Sequence, residues 1–314
     1  MTIAWLFPGQ GTQVVGMGKA LADESPAARE VFARADAALG ESLSRLCFEG
    51  PQAELTLTAN TQPAILTTSM AALAALREAH PNLPVPTYAA GHSLGEYSAL
   101  VAAGALSLED AVRLVRLRGR AMQDAVPEGE GAMAAVLGGD EATISALCEA
   151  ARQGEVLEPA NFNAPGQIVI SGHAGAVRRA TELASEFKVK TIPLSVSAPF
   201  HSSLMAPAAR AVEAALRDVR VEKPHFPIVT NVDATPNSDA EKIPTILVRQ
   251  IDGAVKWSQS VAWLAAQGVT HALEIGPGKV LAGLVKKIDK AIAVHGVGDP
   301  AGVASTREFL NFPV

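Results

Sequence analysis

The sequence predicts an α/β fold built on a mostly parallel sheet covered by helices, with a smaller ferredoxin-like unit inserted into it. Three observations carry this expectation. Apolar runs bounded by Gly and Pro alternate with segments of helical period through the first 125 residues, the order of βαβ units on a parallel sheet. After Ala125 the order changes to β, α, β, β, α, β, that of a split βαβ unit. The length, 314 residues, exceeds the roughly 250–300 at which one hydrophobic core stops growing, so a second lobe is expected.

Thr2 to Phe7 reads as the first strand. Val85 to Ala90 reads as another, ending at Gly91 and passing through one sharp turn into an apolar helix from Leu94 to about Ala105. In the inserted unit, Met133 to Leu137, Val156 to Phe162, Gln167 to Ser171 and Lys190 to Leu194 read as strands, with helices over Glu141 to Arg152 and Ala174 to Phe187. Pro127 and a Gly-rich stretch open the unit and Pro193 and Pro199 close it, which places a small lobe at residues 127–197 and a large one at 1–126 and 198–314. Doubly wound order then resumes, with strands near Ile228 to Thr230 and His271 to Ile275 and helices near Val255 to Gln267 and Val280 to Ile288.

A net charge of -6 argues against nucleic acid as a partner, because phosphate backbones select basic surfaces. Cys47 and Cys148 are the two cysteines; without a C-x-x-C pair they read as reduced thiols of a cytoplasmic protein. The amino terminus enters an apolar strand directly, with no basic stretch and cleavage site, so no secretory leader is expected. The most apolar helical stretch, Ser98 to Leu106, is far shorter than the ~20 residues that span a bilayer, and no membrane segment is expected.

Gly91-His92-Ser93-Leu94-Gly95 is a G-x-S-x-G nucleophile elbow with a strand before it and a helix after it. Two glycines permit a tight turn that lifts the serine hydroxyl clear of the sheet, and the helix points unpaired N–H groups at charge developing beside it. A serine capping a helix between two turn glycines would give the same local pattern. A serine hydroxyl also needs a base, and histidine suits neutral pH. His92 adjoins the serine, but its side chain is expected to point away across the turn. His201, in Pro199-Phe200-His201-Ser202, lies where the chain returns from the small lobe to the large one, the place where a cleft forms. From spacing alone a plain loop histidine fits His201 equally well.

Phe7-Pro8-Gly9-Gln10-Gly11 follows the first strand but fails the G-x-G-x-x-G test, since Val14 stands where the third glycine should be. Two glycines around Gln10 would expose its N–H, which with that of Leu94 would form a two-donor oxyanion hole; a plain tight turn is the alternative. In the helix opening at Ser107, capped with Asp110, the apolar stripe Ala111, Val115, Arg118, Met122 contains one cation, while Arg113, Arg116 and Arg120 fall on the opposite face. Arg118 alone is therefore expected to point inward, either to bind a carboxylate with its planar fork or to form a buried structural ion pair. Gly276-Pro277-Gly278-Lys279 lacks P-loop spacing and reads as a strand-to-helix turn. Asn161 and Asn163 could hydrogen-bond an amide-rich arm or simply serve the turn around Pro165-Gly166.

Taken in order, Phe7-Pro8-Gly9-Gln10-Gly11, Gly91-His92-Ser93-Leu94-Gly95-Glu96, Arg118-Gly119, Asn161 through Gln167, Pro199-Phe200-His201-Ser202, Asn231-Val232-Asp233, Val248-Arg249-Gln250 and Glu274-Ile275-Gly276-Pro277-Gly278 resemble the malonyl-CoA:acyl carrier protein transacylase family of fatty acid synthesis over essentially the whole chain. The resemblance implies a hydrolase-like large lobe and a ferredoxin-like small one. It implies that His201 pairs with Ser93, that the Gln10 and Leu94 N–H groups form the oxyanion hole, and that Arg118 holds the malonyl carboxylate. It further implies that the Gln250 carbonyl orients the histidine, and that Phe200 excludes branched acyl groups. Thr12 stands where many relatives carry Ser.

The activity so implied is ping-pong transfer of malonyl from malonyl-CoA to the phosphopantetheine thiol of acyl carrier protein through a malonyl-serine ester. No metal or other cofactor enters that scheme, and a monomer is expected. An acidic carrier would select a basic patch, for which Lys286 and Lys287 are candidates. A hydrolase on the same elbow would need an acidic triad member and no inward arginine; a scaffold that docks carriers would need neither Ser93 nor His201.

Overall fold

In the computed structural model, which describes residues 2–196 and 198–313, two separate sheets form from ten strands. Along the chain these are β1 (Thr2–Phe7), β2 (Tyr88–Gly91), β3 (Gly131–Leu137), β4 (Leu157–Ala164), β5 (Gln167–His173), β6 (Lys190–Pro193), β7 (Ile228–Val229), β8 (Pro236–Asn237), β9 (Val269–Ile275) and β10 (Ala293–Val297). The first sheet has the order β10-β9-β1-β2-β7-β8, parallel except for the β7–β8 edge pair. The second, β4-β5-β3-β6, is antiparallel throughout. Met1, Ser197 at the expected end of the small lobe, and Val314 lie outside the described residues.

The central strand β1 explains the layering. Successive side chains of a strand point to opposite faces, and Ile3, Trp5 and Phe7 join one core while Ala4 and Leu6 join another. Helices cover both faces, as a parallel sheet requires: Thr58–Ala79 and Leu108–Asp124 on the first side, Trp257–Ala266 and Val280–Ile288 on the second. In the antiparallel sheet, Ala134, Val136, Ile168 and Ile170 pack against the helices Glu141–Arg152 and Ala174–Leu183, while Met133 and Val169 on the opposite face join the large core. No helix among the described residues is long and apolar enough to cross a membrane.

Three departures from the sequence reading have physical causes. The alternation expected early in the chain is looser, because among the described residues five helices separate β1 from β2. Strand β2 begins at Tyr88 rather than Val85, since Pro86 lacks a ladder donor and Val85 is left exposed. The helix expected from Val255 starts at Trp257, because Val255 instead exchanges backbone hydrogen bonds with β4, accepting from the Phe162 N–H at 2.9 Å and donating to the Ala160 carbonyl at 2.8 Å. These bonds stitch the small sheet to the large half beside the site.

Candidate active site

Strand β2 ends at Gly91, opposite Phe7 of β1, and the next helix begins at Gly95. Between them Ser93 has a φ of 50°, a left-handed backbone that costs a residue with a side chain roughly 1–2 kcal/mol. The glycines let the turn fold tightly against β1. A Cβ at Gly91 would lie 1.9 Å from the Gly95 carbonyl carbon, and one at Gly95 would lie 2.0 Å from the Phe7 oxygen. The hydroxyl is thereby presented at the carboxyl end of the sheet, where α/β folds place their sites.

Ser93 Oγ lies 2.7 Å from His201 Nε2. His201 Nδ1 faces two backbone carbonyls, Gln250 at 2.9 Å and Gly253 at 3.2 Å. Carbonyls only accept, so the proton resides on Nδ1 and Nε2 is left as a bare acceptor for the serine hydroxyl. Burial, and then the Arg118 cation, lower the imidazole from its ordinary value to about 3. The ring is therefore neutral at physiological pH, the state a general base needs.

Arg118 is 1% exposed. Its guanidinium donates to Gln62 Oε1 at 2.7 Å, to Gln250 Oε1 at 3.0 Å and to Ser93 Oγ at 3.1 Å, and it lies 5.3 Å from the Tyr97 ring centroid. Its Nε has no partner, and none of the ion pairs among the described residues includes it. A buried cation held by amides, with no carboxylate of its own, remains available to an anionic ligand; of the two readings open from sequence, the structural ion pair does not form. Arg116 corrects the expectation that its face is solvated: it is 7% exposed, donates to the Ala59 carbonyl at 2.9 Å and pairs with Asn60 and Glu41. Both are inward, but only Arg118 reaches the serine.

Gln10, Gln62, His92, Ser93, Arg118, Asn161, Phe200 and His201 line one cleft of about 120 Å³, together with Met133 of β3 and with Leu194 and Val196 just beyond β6. Among the described residues the N–H groups of Gln10 and Leu94 donate to no protein acceptor. His92 does not point away as expected: it lines the cleft, and its Nε2 meets Asn163 Oδ1 at 2.8 Å. Asn163 thus serves the wall through His92, while Asn161 faces the cleft itself. Lys286 and Lys287 are exposed in the last turn of their helix, with Lys287 Nζ donating to Gln167 Oε1 at 3.0 Å.

The chain is similar to known proteins over nearly its whole length. A family model described as the acyl transferase domain matches residues 4–297. The malonyl CoA-acyl carrier protein transacylase of Bacillus subtilis is 50% identical over 300 residues, covering 95% of this chain and 94% of the relative. The chain belongs to the malonyl-CoA:acyl carrier protein transacylase family. The transacylase of Escherichia coli O157:H7 is 47% identical over 306 residues, 97% of this chain and 98% of that one. Among solved transacylases, the acyl-carrier-protein-S-malonyltransferase of Bartonella henselae superposes with a TM-score of 0.96 at 47% identity, over 99% of this chain and 100% of that one. A type II PKS acyl-carrier protein in complex with its malonyl-transacylase matches with a TM-score of 0.95 at 42% identity, over 98% of this chain and 100% of that one.

In this transacylase fold, sequence reasoning missed the second layer of the site. Gln62 and the side chain of Gln250 hold Arg118, Asn231 holds the Ser93 N–H, and Glu96 ties Asn231 to Gln250. Gln62 is one of several polar residues buried along the Thr58–Ala79 helix, with Thr58, Thr61, Thr67, Thr68 and Ser69, so no local signal set it apart. Glu96 is 1% exposed, and burial raises its carboxyl to about 7.

Proposed function

We propose that this acyltransferase moves a malonyl group from coenzyme A to the phosphopantetheine thiol of acyl carrier protein through an ester on Ser93. The observation that carries the reading is the meeting of two groups on one oxygen: Ser93 Oγ lies within hydrogen-bond reach of a neutral imidazole and of a buried guanidinium that lacks an acid partner. A serine, a base and a free cation in one cleft suit an acyl group that carries its own carboxylate.

In the first half-reaction His201 Nε2 takes the Ser93 proton as Oγ bonds the thioester carbon. The carbonyl oxygen becomes an oxyanion, for which the Gln10 and Leu94 N–H groups are the donors; losing one such donor typically costs about 10²- to 10³-fold in rate. The carbon–sulfur bond then breaks, and the proton passes from His201 to the departing thiolate. In the second half-reaction His201 takes the proton of the carrier's thiol, sulfur attacks the ester, and the proton returns to Ser93 Oγ. Two half-reactions through one covalent ester give ping-pong kinetics, and the sequence closes without a redox step.

The carboxylate of the acyl group has a second effect. After burial, the Arg118 cation is the largest influence holding the imidazole down. A malonyl carboxylate on Arg118 offsets that charge and makes His201 a stronger base, whereas an acetyl group leaves the cation unpaired. Phe200, in the cleft wall and 8% exposed, limits branching at the acyl carbon. A hydrolase triad would place a carboxylate at His201 Nδ1, where two backbone carbonyls stand instead. The product would supply extender units for fatty acid synthesis, and the exposed Lys286 and Lys287 offer an acidic carrier a pair of cations.

The pH dependence follows from the base. Catalysis needs neutral His201, and a value of about 3 keeps it neutral as pH falls through the ordinary imidazole range. Glu96 titrates near 7, but both of its hydrogen bonds use Oε2, so a proton on Oε1 leaves them intact. Initial rates of malonyl-enzyme formation are thus expected to hold between pH 8 and about 5, past the ~6.5 of a free imidazole. Loss of rate centred near 6.5 would contradict this. Stability behaves differently: the lowered histidine contributes fully above about 6.5 and progressively less as pH falls toward its folded value, so rates are read before unfolding begins.

A further inference from the structure

The left-handed turn at Ser93 is held by groups outside the reacting set. Asn231 lies two residues beyond β7, whose Val229 pairs with Ala90 of β2, so it stands beside the elbow at the end of the neighbouring strand. Its side chain bridges the turn that leads into the nucleophile. Oδ1 accepts from the Ser93 N–H at 2.8 Å, and Nδ2 donates to the Gly91 carbonyl at 2.7 Å.

Its backbone is equally committed. The Asn231 N–H donates to Glu96 Oε2 at 3.0 Å and its carbonyl accepts from the Lys256 N–H at 2.9 Å. The same Glu96 oxygen accepts from Gln250 Nε2 at 2.9 Å, and that nitrogen also reaches the Ser93 carbonyl at 2.9 Å. Gln250 in turn seats His201 on its backbone carbonyl and Arg118 on its side-chain oxygen. The ring Asn231, Glu96, Gln250 therefore touches the peptide on both sides of Ser93 and the groups that hold the base and the cation.

We infer that Asn231 is a positioning residue for the nucleophile, its amide clamping the two successive peptide groups that lead into Ser93 so that Oγ stays on His201, with Glu96 anchoring the clamp. This rests on the reading of Ser93 as nucleophile. Asparagine suits the place because one planar group offers an acceptor and a donor together; aspartate offers only acceptors when ionised, and alanine neither. A buried amide serving the core alone has no reason to take its two side-chain partners from the reacting residue and from the glycine that opens its turn. Strained turns persist where the surroundings over-determine them, and here the determinants converge on this side chain.

The test mixes wild type, Asn231→Ala and Asn231→Asp with malonyl-CoA and quenches over time. Intact mass gives both the fraction of chains that acylate and the rate constant among those that do. For Asn231→Ala the rate constant among competent chains is expected to fall about 100-fold, the scale of an ångström-size misplacement. The malonyl-CoA concentration giving half-maximal rate should change little, because Arg118 keeps its Gln62 and Gln250 contacts. Asn231→Asp, which keeps the acceptor for the Ser93 N–H, is expected to fall between the two. An unchanged rate constant in both variants, with only the competent fraction or the melting temperature lowered, overturns the inference. If Asn231→Ala does not fold, Asn231→Asp decides by the same criterion. Wild type that acquires no acyl group on Ser93 removes the underlying reading as well, an outcome distinct from wild type acylating and the variants matching it.

Discussion

Replacing His201 with alanine is expected to lower the rate of malonyl transfer to Ser93 by about 10⁴- to 10⁶-fold, the range seen when a serine nucleophile loses its base. The hydroxyl would keep its place at the elbow and its contact with Arg118, so malonyl-CoA should still bind. Among the described residues no other group stands ready to take the proton. His92 lines the same cleft, but its Nε2 is engaged by Asn163 and burial lowers its basicity. Rapid-quench measurement of acyl-enzyme formation checks this; a loss below tenfold would show that the imidazole is not the base.

The second large effect concerns choice of acyl group. Arg118→Ala is expected to depress malonyl transfer by about 10²- to 10³-fold, in line with removal of one partner from a desolvated charge pair. Acetyl transfer, which makes no use of the guanidinium's charge, should fall far less or rise. Part of that asymmetry comes from the base, since removing the cation also relieves the electrostatic depression of His201. Comparing kcat/KM for malonyl-CoA and acetyl-CoA in wild type and variant gives the result directly. Equal losses with both substrates would strip Arg118 of its assigned role and leave it a structural cation.

What the sequence disclosed follows from how local each signal is. The elbow is five consecutive residues between a strand and a helix, and its strained serine, flanking glycines and tight approach to β1 all follow from that short span. Arg118 showed itself through helical period, because the Leu108–Asp124 helix buries the stripe that contains it. The same reasoning failed for Arg116, since periodicity cannot anticipate that the first turn of the Thr58–Ala79 helix, at Ala59 and Asn60, will cover the outer face. His201 had no local signature strong enough to separate it from a loop histidine. Its partners are backbone carbonyls 49 and 52 residues away, and only family resemblance singled it out. Asn231 and Glu96 were invisible as functional groups for the same reason: an amide 138 residues from the serine it holds becomes a clamp only when β7 settles beside β2. The small unit's order was legible because its strands and helices follow one another closely; the edge strands β8 and β10 were not, being short or interrupted by Gly296.

The central claim is that a malonyl group rests on Ser93 between two thiols. The most direct measurement is intact-mass analysis with peptide mapping, first after mixing the enzyme with malonyl-CoA and then after adding holo acyl carrier protein. The account predicts a gain of one malonyl group located on Ser93, followed by its disappearance from the enzyme as malonyl-carrier appears. Formation of malonyl-carrier with no adduct on Ser93 at any time, or an unchanged yield from Ser93→Ala, would contradict it.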